Sequence, residues 1–240
     1  MTLKDNSLVC ENEDCRVMYN LWSEYGLVSF VFNNKTDKDI FINLGQTFFI
    51  VNGHANDYYV GATETLEQGI QLAASYKKET LDLLNAGLWS NNLYSYSEKK
   101  ASKKISSNKK ISVKEPEIVC VPAHSYKLFC KCSISPSYMQ VCAKDIDYPK
   151  KSAKVKDYTS DTTPIKMINR IAYGFDKDAV ADKHIENNLW VSGITNYSQK
   201  AILEKEKVKT GCYSNSKKKI SYFKVGGPDK FYIRYNEKGQ

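Results

Sequence analysis

Four cysteines form the chain's best candidate for a metal-binding set. Cys120, Cys130, Cys132 and Cys142 read C-x9-C-x-C-x9-C, and four thiolates make a complete tetrahedral set for Zn²⁺. Zinc sites, however, usually pair their ligands across short, regular gaps. In addition, Cys130 and Cys132 fall on one side of an apolar, alternating run. Buried thiols behaving as small hydrophobes account for them better, so neither a metal nor a cofactor is expected. Cys10, Cys15 and Cys212 bring the total to seven, an odd number that leaves at least one thiol if disulfides form. Cys10 and Cys15 can pair with each other or with a distant thiol in an exported protein, but a chain of 240 residues has no need of such staples.

The remaining reactive residues are scattered. His54, His124 and His184 are each isolated in polar segments. A Cys120–His124 dyad has no evident third group to orient it, as nucleophilic catalysis would require. Asp145-x-Asp147 and Asp176-x-Asp178 lack the glycine and distal glutamate of a calcium loop. Gly226-Gly227 has no Lys-Ser/Thr pair behind it, so it is not a phosphate loop. Tyr222, Phe223, Lys224, Lys230, Phe231, Tyr232, Arg234 and Tyr235 mix bases with aromatics, a composition that stacks single-stranded nucleic acid. The same alternation is what a packed strand needs, and core packing is the preferred reading.

The formal net charge is +8, and much of the excess is local. Lys99, Lys100, Lys103, Lys104, Lys109, Lys110 and Lys114 share one short tract with few acids. Such blocks are usually solvated. As a functional surface, the first six are the candidate contacts for an anionic glycan, a lipid headgroup or a protein.

The elements that must position these residues are strands. Val17, Tyr19 and Leu21 alternate on one face, as do Val28, Phe30 and Phe32, and then Ile40, Ile42 and Leu44. With Thr47 to Val51 they read as an antiparallel meander closed by Asn52-Gly53, a strong type I′ hairpin signal. Thr63 to Leu84 has approximate helical spacing despite Gly69 and reads as one helix or two short ones. The tract from Ser90 to Lys114 has no usable period. Strands resume at Ile118–Val121 and Tyr126–Ile134, joined by a bend at Pro122-Ala123-His124-Ser125. Residues 143 to 165 read as loop and Asp182 to Asn188 as a polar turn. Alternation from Lys166 to Phe175 and runs at Leu189–Ile194, Ala201–Val208, Ile220–Val225 and Phe231–Tyr235 complete the strand set. The expected fold is mainly all-β: a single antiparallel, immunoglobulin-like β-sandwich over residues 1–240. It carries a partly helical or disordered insertion over 61–116, with the helix at 63–84 and the Lys-rich loop at 98–114. No apolar run is long enough for a transmembrane helix.

The phrases YNLWSEYGLVSF, NNKTDKDIFINLGQTFFIVNG with the following DYY, IVCVPAHSYK, NRIAY and PDKFYIRY resemble a group of Bacteroides-type bacterial proteins with no established activity. Many of that group are predicted lipoproteins. The resemblance runs from Tyr19 to Tyr235, omits the Lys-rich tract, and implies a location rather than a chemistry. The N-terminus MTLKDNSLVCENEDC has no apolar signal region. Two locations are therefore expected: cytoplasmic from the sequence as given, or cell envelope as a lipoprotein if an export signal has been removed.

The expected function is a non-enzymatic binding or structural module. Two alternatives remain: a nucleic-acid-binding protein using basic and aromatic surface residues, and a hydrolase whose active-site residues are distant in sequence.

Overall fold

The computed structural model describes residues 1–4, 6–59, 95–96, 116–135, 149–177, 182–209 and 217–234. Two antiparallel sheets make a sandwich-like, all-β body. The first contains β1 (Thr2–Lys4), β2 (Ser7–Glu11), β3 (Cys15–Tyr19), β4 (Leu27–Asn34) and β10 (Tyr126–Ser133), side by side in that order. The second is built around β12 (Lys166–Gly174). On one edge β12 pairs with β13 (Lys183–Trp190), and on the other with β5 (Ile40–Asn43) and β6 (Phe48–Val51). β7 (His54–Asp57) lies outside β6, and β9 (Ile118–Val121) outside β5. Smaller sheets pair β11 (Ser152–Asp157) with β14 (Gly193–Tyr197), and β15 (Leu203–Lys209) with β16 (Lys217–Phe223) and β8 (Ser95–Tyr96).

The expected meander is rearranged. β4 and β5 belong to different sheets, so the polar segment between them is a sheet-to-sheet corner and not a hairpin. β5 and β6 do not pair with each other; they run end to end along one edge of β12. A three-residue 3₁₀ turn, Leu44–Gln46, interrupts them. Thr47 repairs the gap it leaves. Its fully buried hydroxyl accepts the Ala172 backbone N–H at 3.2 Å and donates to Asn43 O at 2.7 Å, so the amide facing the break still has a partner. The Asn52-Gly53 hairpin forms as expected, with φ of 49° and 85° at its two central residues.

The β4–β5 corner lies against a second one, Pro122–Ser125, which carries β9 into β10. Asn34 ties the two together. Its amide nitrogen donates to Lys38 O (2.7 Å), Val121 O (3.0 Å) and Pro122 O (3.2 Å), while its oxygen accepts Thr36 N (2.9 Å) and Thr36 Oγ1 (2.8 Å). The bend predicted between β9 and β10 is thus a joint shared by both crossings.

Between the sheets lie Val17, Tyr19, Val28, Phe30 and Phe32 from the first, and Ile40, Ile42, Phe49, Met167, Ile171 and Tyr173 from the second. Burying each large apolar side chain contributes about 1.5–3 kcal/mol. A polar chain runs through this core. Tyr58 OH donates to Asn169 Oδ1 at 2.9 Å, and Asn169 Nδ2 donates to Tyr19 OH at 2.7 Å. Asn187, fully buried and opposite Asn169 in register, donates to Asn169 O at 3.4 Å.

That asparagine also explains a correction. Asp182–Asn188 reads as a polar turn, yet Lys183–Trp190 is the strand β13. Ile185, Asn187 and Leu189 alternate inward, and a polar residue at the middle inward position breaks the apolar pattern. Likewise Ser152–Asp157, read as loop, is the strand β11, whose apolar content is too low to register as a strand. The helix expected over Thr63–Leu84 lies outside the described residues.

Candidate functional site

The type I′ turn at Asn52-Gly53 folds β7 back along β6 and brings His54, Ala55, Asn56 and Asp57 opposite Lys131, Cys132 and Ser133 of β10. These residues line an open groove of about 560 Å³. On the β10 side the groove owes its shape to a β-bulge. Cys130 faces Ser29 and Cys132 faces Val28, so Lys131 is an extra residue in the ladder. The bulge switches the strand's inward parity. Phe129 stacks on Phe30 with ring centroids 5.1 Å apart, and beyond the bulge Cys132 and Ile134 are the residues packed on the core. A regular strand would have put Phe129 on the side opposite Cys132 and Ile134. The bulged Lys131 turns back, and its ammonium donates to Tyr58 O.

The groove offers an imidazole, a carboxylate, an ammonium and a thiol. Burial pushes the Cys132 thiol up to about 12, with the Asp57 carboxylate adding to the rise and Lys131 opposing it. Cys130 is raised to about 11 by burial. Neither sulfur is a thiolate near neutral pH, so the groove's chemistry is hydrogen bonding and mixed charge, not nucleophilic attack.

At the corner joint, His124 and Cys120 are each engaged by a different carboxylate. His124, with a left-handed φ of 51°, sets its Nε2 2.7 Å from Asp37 Oδ1. The Cys120 thiol lies 3.8 Å from Asp39 Oδ2, and Asp39 Oδ1 accepts the Ala123 N–H at 3.0 Å. Desolvation raises the Cys120 thiol, and the nearby Asp39 carboxylate raises it further. A dyad requires the imidazole to take the thiol's proton; here the imidazole faces Asp37. The remaining histidines are apart from this corner, His54 in the groove and His184 exposed on β13.

Cys120 lies on β9 of the second sheet while Cys130 and Cys132 lie on β10 of the first; Cys142 is outside the described residues. Among the described residues no group of three His, Cys, Asp or Glu side chains could hold a metal ion. Cys10, Cys15, Cys120, Cys130 and Cys132 are free thiols. Lys99, Lys100, Lys103, Lys104, Lys109 and Lys110 lie outside the described residues.

Three of the C-terminal aromatics, Phe223, Phe231 and Tyr232, are packed against other side chains. Phe223 and Tyr232 are 4.7 Å apart and flank Trp22 at 5.1 and 5.3 Å. Phe231 packs against the core, and Arg234 pairs with Glu24. This strap is sewn to the segment before β4 by Leu21 N–Pro228 O at 2.9 Å and Tyr25 N–Tyr232 O at 2.8 Å.

A third concentration of charge joins the ends of both sheets. Glu11 holds Arg16 (2.9 Å) and Lys35 (2.8 Å), and Asp14 holds Lys183 (2.8 Å) and Tyr173 OH (3.0 Å). These contacts lower the carboxylates, Glu11 to about 2 through hydrogen bonds from Arg16 and Lys35. Asp14 is lowered chiefly by Lys183. Sequence spacing gives no sign of this clasp, because its partners come from β2, the β2–β3 turn, β3, the corner after β4, β12 and β13.

No family model, curated protein or solved structure matches this chain.

Proposed function

We propose that this chain is a non-catalytic binding or structural module of the bacterial cell envelope, built on an immunoglobulin-like sandwich. The observation that carries this reading is how its reactive groups are engaged. Asp37, Asp39, Asp14 and Glu11 each hold a neighbouring strand or corner, and the thiols of Cys15, Cys130 and Cys132 are held protonated by burial. Thiols held protonated are poor nucleophiles, and the lowered carboxyls of Glu11 and Asp14 are poor proton acceptors. What they leave for a partner is the β7–β10 groove, together with the charge that the sequence concentrates in the lysines at 99, 100, 103, 104, 109 and 110. Anionic glycans, lipid headgroups and proteins fit that balance of charge. The envelope location rests on the resemblance of the YNLWSEYGLVSF and IVCVPAHSYK phrases to bacterial lipoproteins.

Two measurements test this. Retention of the protein on glycan arrays and anionic lipid is compared with that of a variant carrying serine at the six lysines. Retention lost in the variant supports the lysine contact; equal retention removes it. A screen of hydrolase substrates with the purified protein shows no turnover on this reading. Turnover abolished by changing one residue, such as His124→Ala, overturns it.

A further inference from the structure

The β15–β16 ribbon carries a charge arrangement that folding alone does not favour. Its register sets Lys207 directly opposite Lys219 and Lys209 directly opposite Lys217, with Lys205 opposite Ser221. Strand alternation places Lys205, Lys207 and Lys219 on one face of the ribbon. Glu204 and Glu206 fall on the other face and do not interleave with these three lysines. Like charges set directly across an antiparallel pair destabilise it. Lys205, Lys207 and Lys219 are exposed. Among the described residues no salt bridge includes any of these three.

We propose that this lysine face is the docking surface for a linear polyanionic polysaccharide, one bearing sulfate or carboxylate groups on successive sugars. The proposal rests on the binding-module reading and gives it a surface and a partner class. Lys205 and Lys207 are about 6.7 Å apart along β15, and Lys219 lies about 5 Å across from Lys207. The positive charge of these three therefore forms a narrow strip, matched to a line of anions and not to the plane of a membrane. Single-stranded nucleic acid needs open aromatic platforms, and Phe223, at the foot of the same face, is packed against Trp22 and Tyr232. A ribbon inserted in a duplex groove would turn Glu204 and Glu206 toward the phosphates of the far wall. A chain laid along the lysine face alone meets neither obstacle.

The test uses the full chain with heparin and polygalacturonate as probes, beside duplex DNA and phosphatidylglycerol vesicles. The expected result is heparin or polygalacturonate binding that weakens steeply with salt. The double variant Lys207→Gln/Lys219→Gln should lose about tenfold or more of that affinity, with a urea midpoint equal to or above that of the wild type. The control Glu204→Gln/Glu206→Gln, on the opposite face, should bind as well as the wild type or better. Undiminished binding by the lysine variant overturns the proposal. So does a wild-type protein that binds only DNA, only vesicles or none of the probes. If the variant with serine at the six lysines from 99 to 110 loses binding while the ribbon variant keeps it, the ribbon proposal fails and the module reading stands.

Discussion

Asn169 on β12 donates its amide N–H to the hydroxyl of Tyr19 on β3 at 2.7 Å, 150 positions away in sequence. The bond crosses the core from one sheet to the other, and both residues are fully buried. With Tyr58 OH donating to Asn169 Oδ1, one asparagine satisfies two buried phenols. Removing a partner from such a set exposes the full desolvation cost of the groups left behind. Asn169→Ala should therefore lower stability by about 3 kcal/mol, and Tyr19→Phe by only about 1–2 kcal/mol. Urea unfolding followed by tyrosine fluorescence measures both, and equal losses would mean the chain of hydrogen bonds is not coupled.

The shared corner makes a second prediction. Asn34→Ala removes a donor to three carbonyls and an acceptor for Thr36. A loss of about 2–4 kcal/mol is expected. Hydrogen exchange should show faster opening at Thr36 and Ser125 than at β12 amides such as Ile171.

Gly26 marks the packing of the C-terminal strap. Its φ is +65°, and an added Cβ would lie 2.8 Å from Ile134 Cδ1 and 2.9 Å from Phe231 Cγ. Gly26→Ala combines a left-handed penalty of about 1–2 kcal/mol with a clash against two core side chains. It should lower the thermal midpoint far more than Gly53→Ala, where φ is +85° but no atom lies within 4 Å. Differential scanning calorimetry of the two variants checks the ordering.

The acidic clasp sets a pH dependence. Glu11 is depressed to about 2 by Arg16 and Lys35, against about 4.3 for a free glutamate. A depressed carboxylate stabilises the fold above its unfolded pKa, and that contribution is lost as pH falls through the folded value. Asp14, lowered by Lys183, acts in the same direction. The urea midpoint should fall as pH drops from about 4.3 toward 2. Glu11→Gln should flatten the decline, and added salt should weaken the effect because Glu11 is at the surface. A midpoint that rises in this window would contradict the assignment.

The thiols give a chemical readout. Cys15 is fully buried, and its thiol is pushed up to about 12, chiefly by burial and then by Asp14. At pH 8 the folded protein should leave Cys15 unmodified by iodoacetamide, while unfolding in urea should expose it to complete labelling. Peptide mass mapping distinguishes it from the other cysteines.

Some of this architecture was legible in the residues alone. The alternations Val28–Phe30–Phe32 and Ile40–Ile42–Leu44 identify inward faces, Asn52-Gly53 identifies its hairpin, and Pro122–Ser125 identifies a bend. Those signals are local, and local chemistry determines them. Which strand pairs with which is not local. β4 and β5 read as neighbours because they are consecutive, yet they lie in different sheets, and the corner between them is held by Asn34, whose amide reaches the Val121 carbonyl 87 positions further on. β13 was hidden because Asn187 occupies an inward position that pattern reading reserves for apolar residues. The parity switch on β10 depends on one bulged residue, Lys131, which composition does not reveal. The site was less legible than the fold. The β7–β10 groove and the Glu11–Asp14 clasp assemble from distant segments, and the opposed lysines of β15 and β16 become visible only when their register is known.

The sandwich is tested most directly by the contact between Phe32 of β4 and Tyr173 of β12, whose rings meet edge-on across the two sheets with centroids 5.9 Å apart. Cross-relaxation between their ring protons in a spectrum of the folded protein is the decisive measurement. Face-to-face packing of the sheets predicts a strong Phe32–Tyr173 cross-peak that disappears in urea. A folded spectrum without that peak, with Tyr173 instead contacting residues of its own sheet alone, would contradict the packing on which the β7–β10 groove, the corner joint and the Glu11–Asp14 clasp depend.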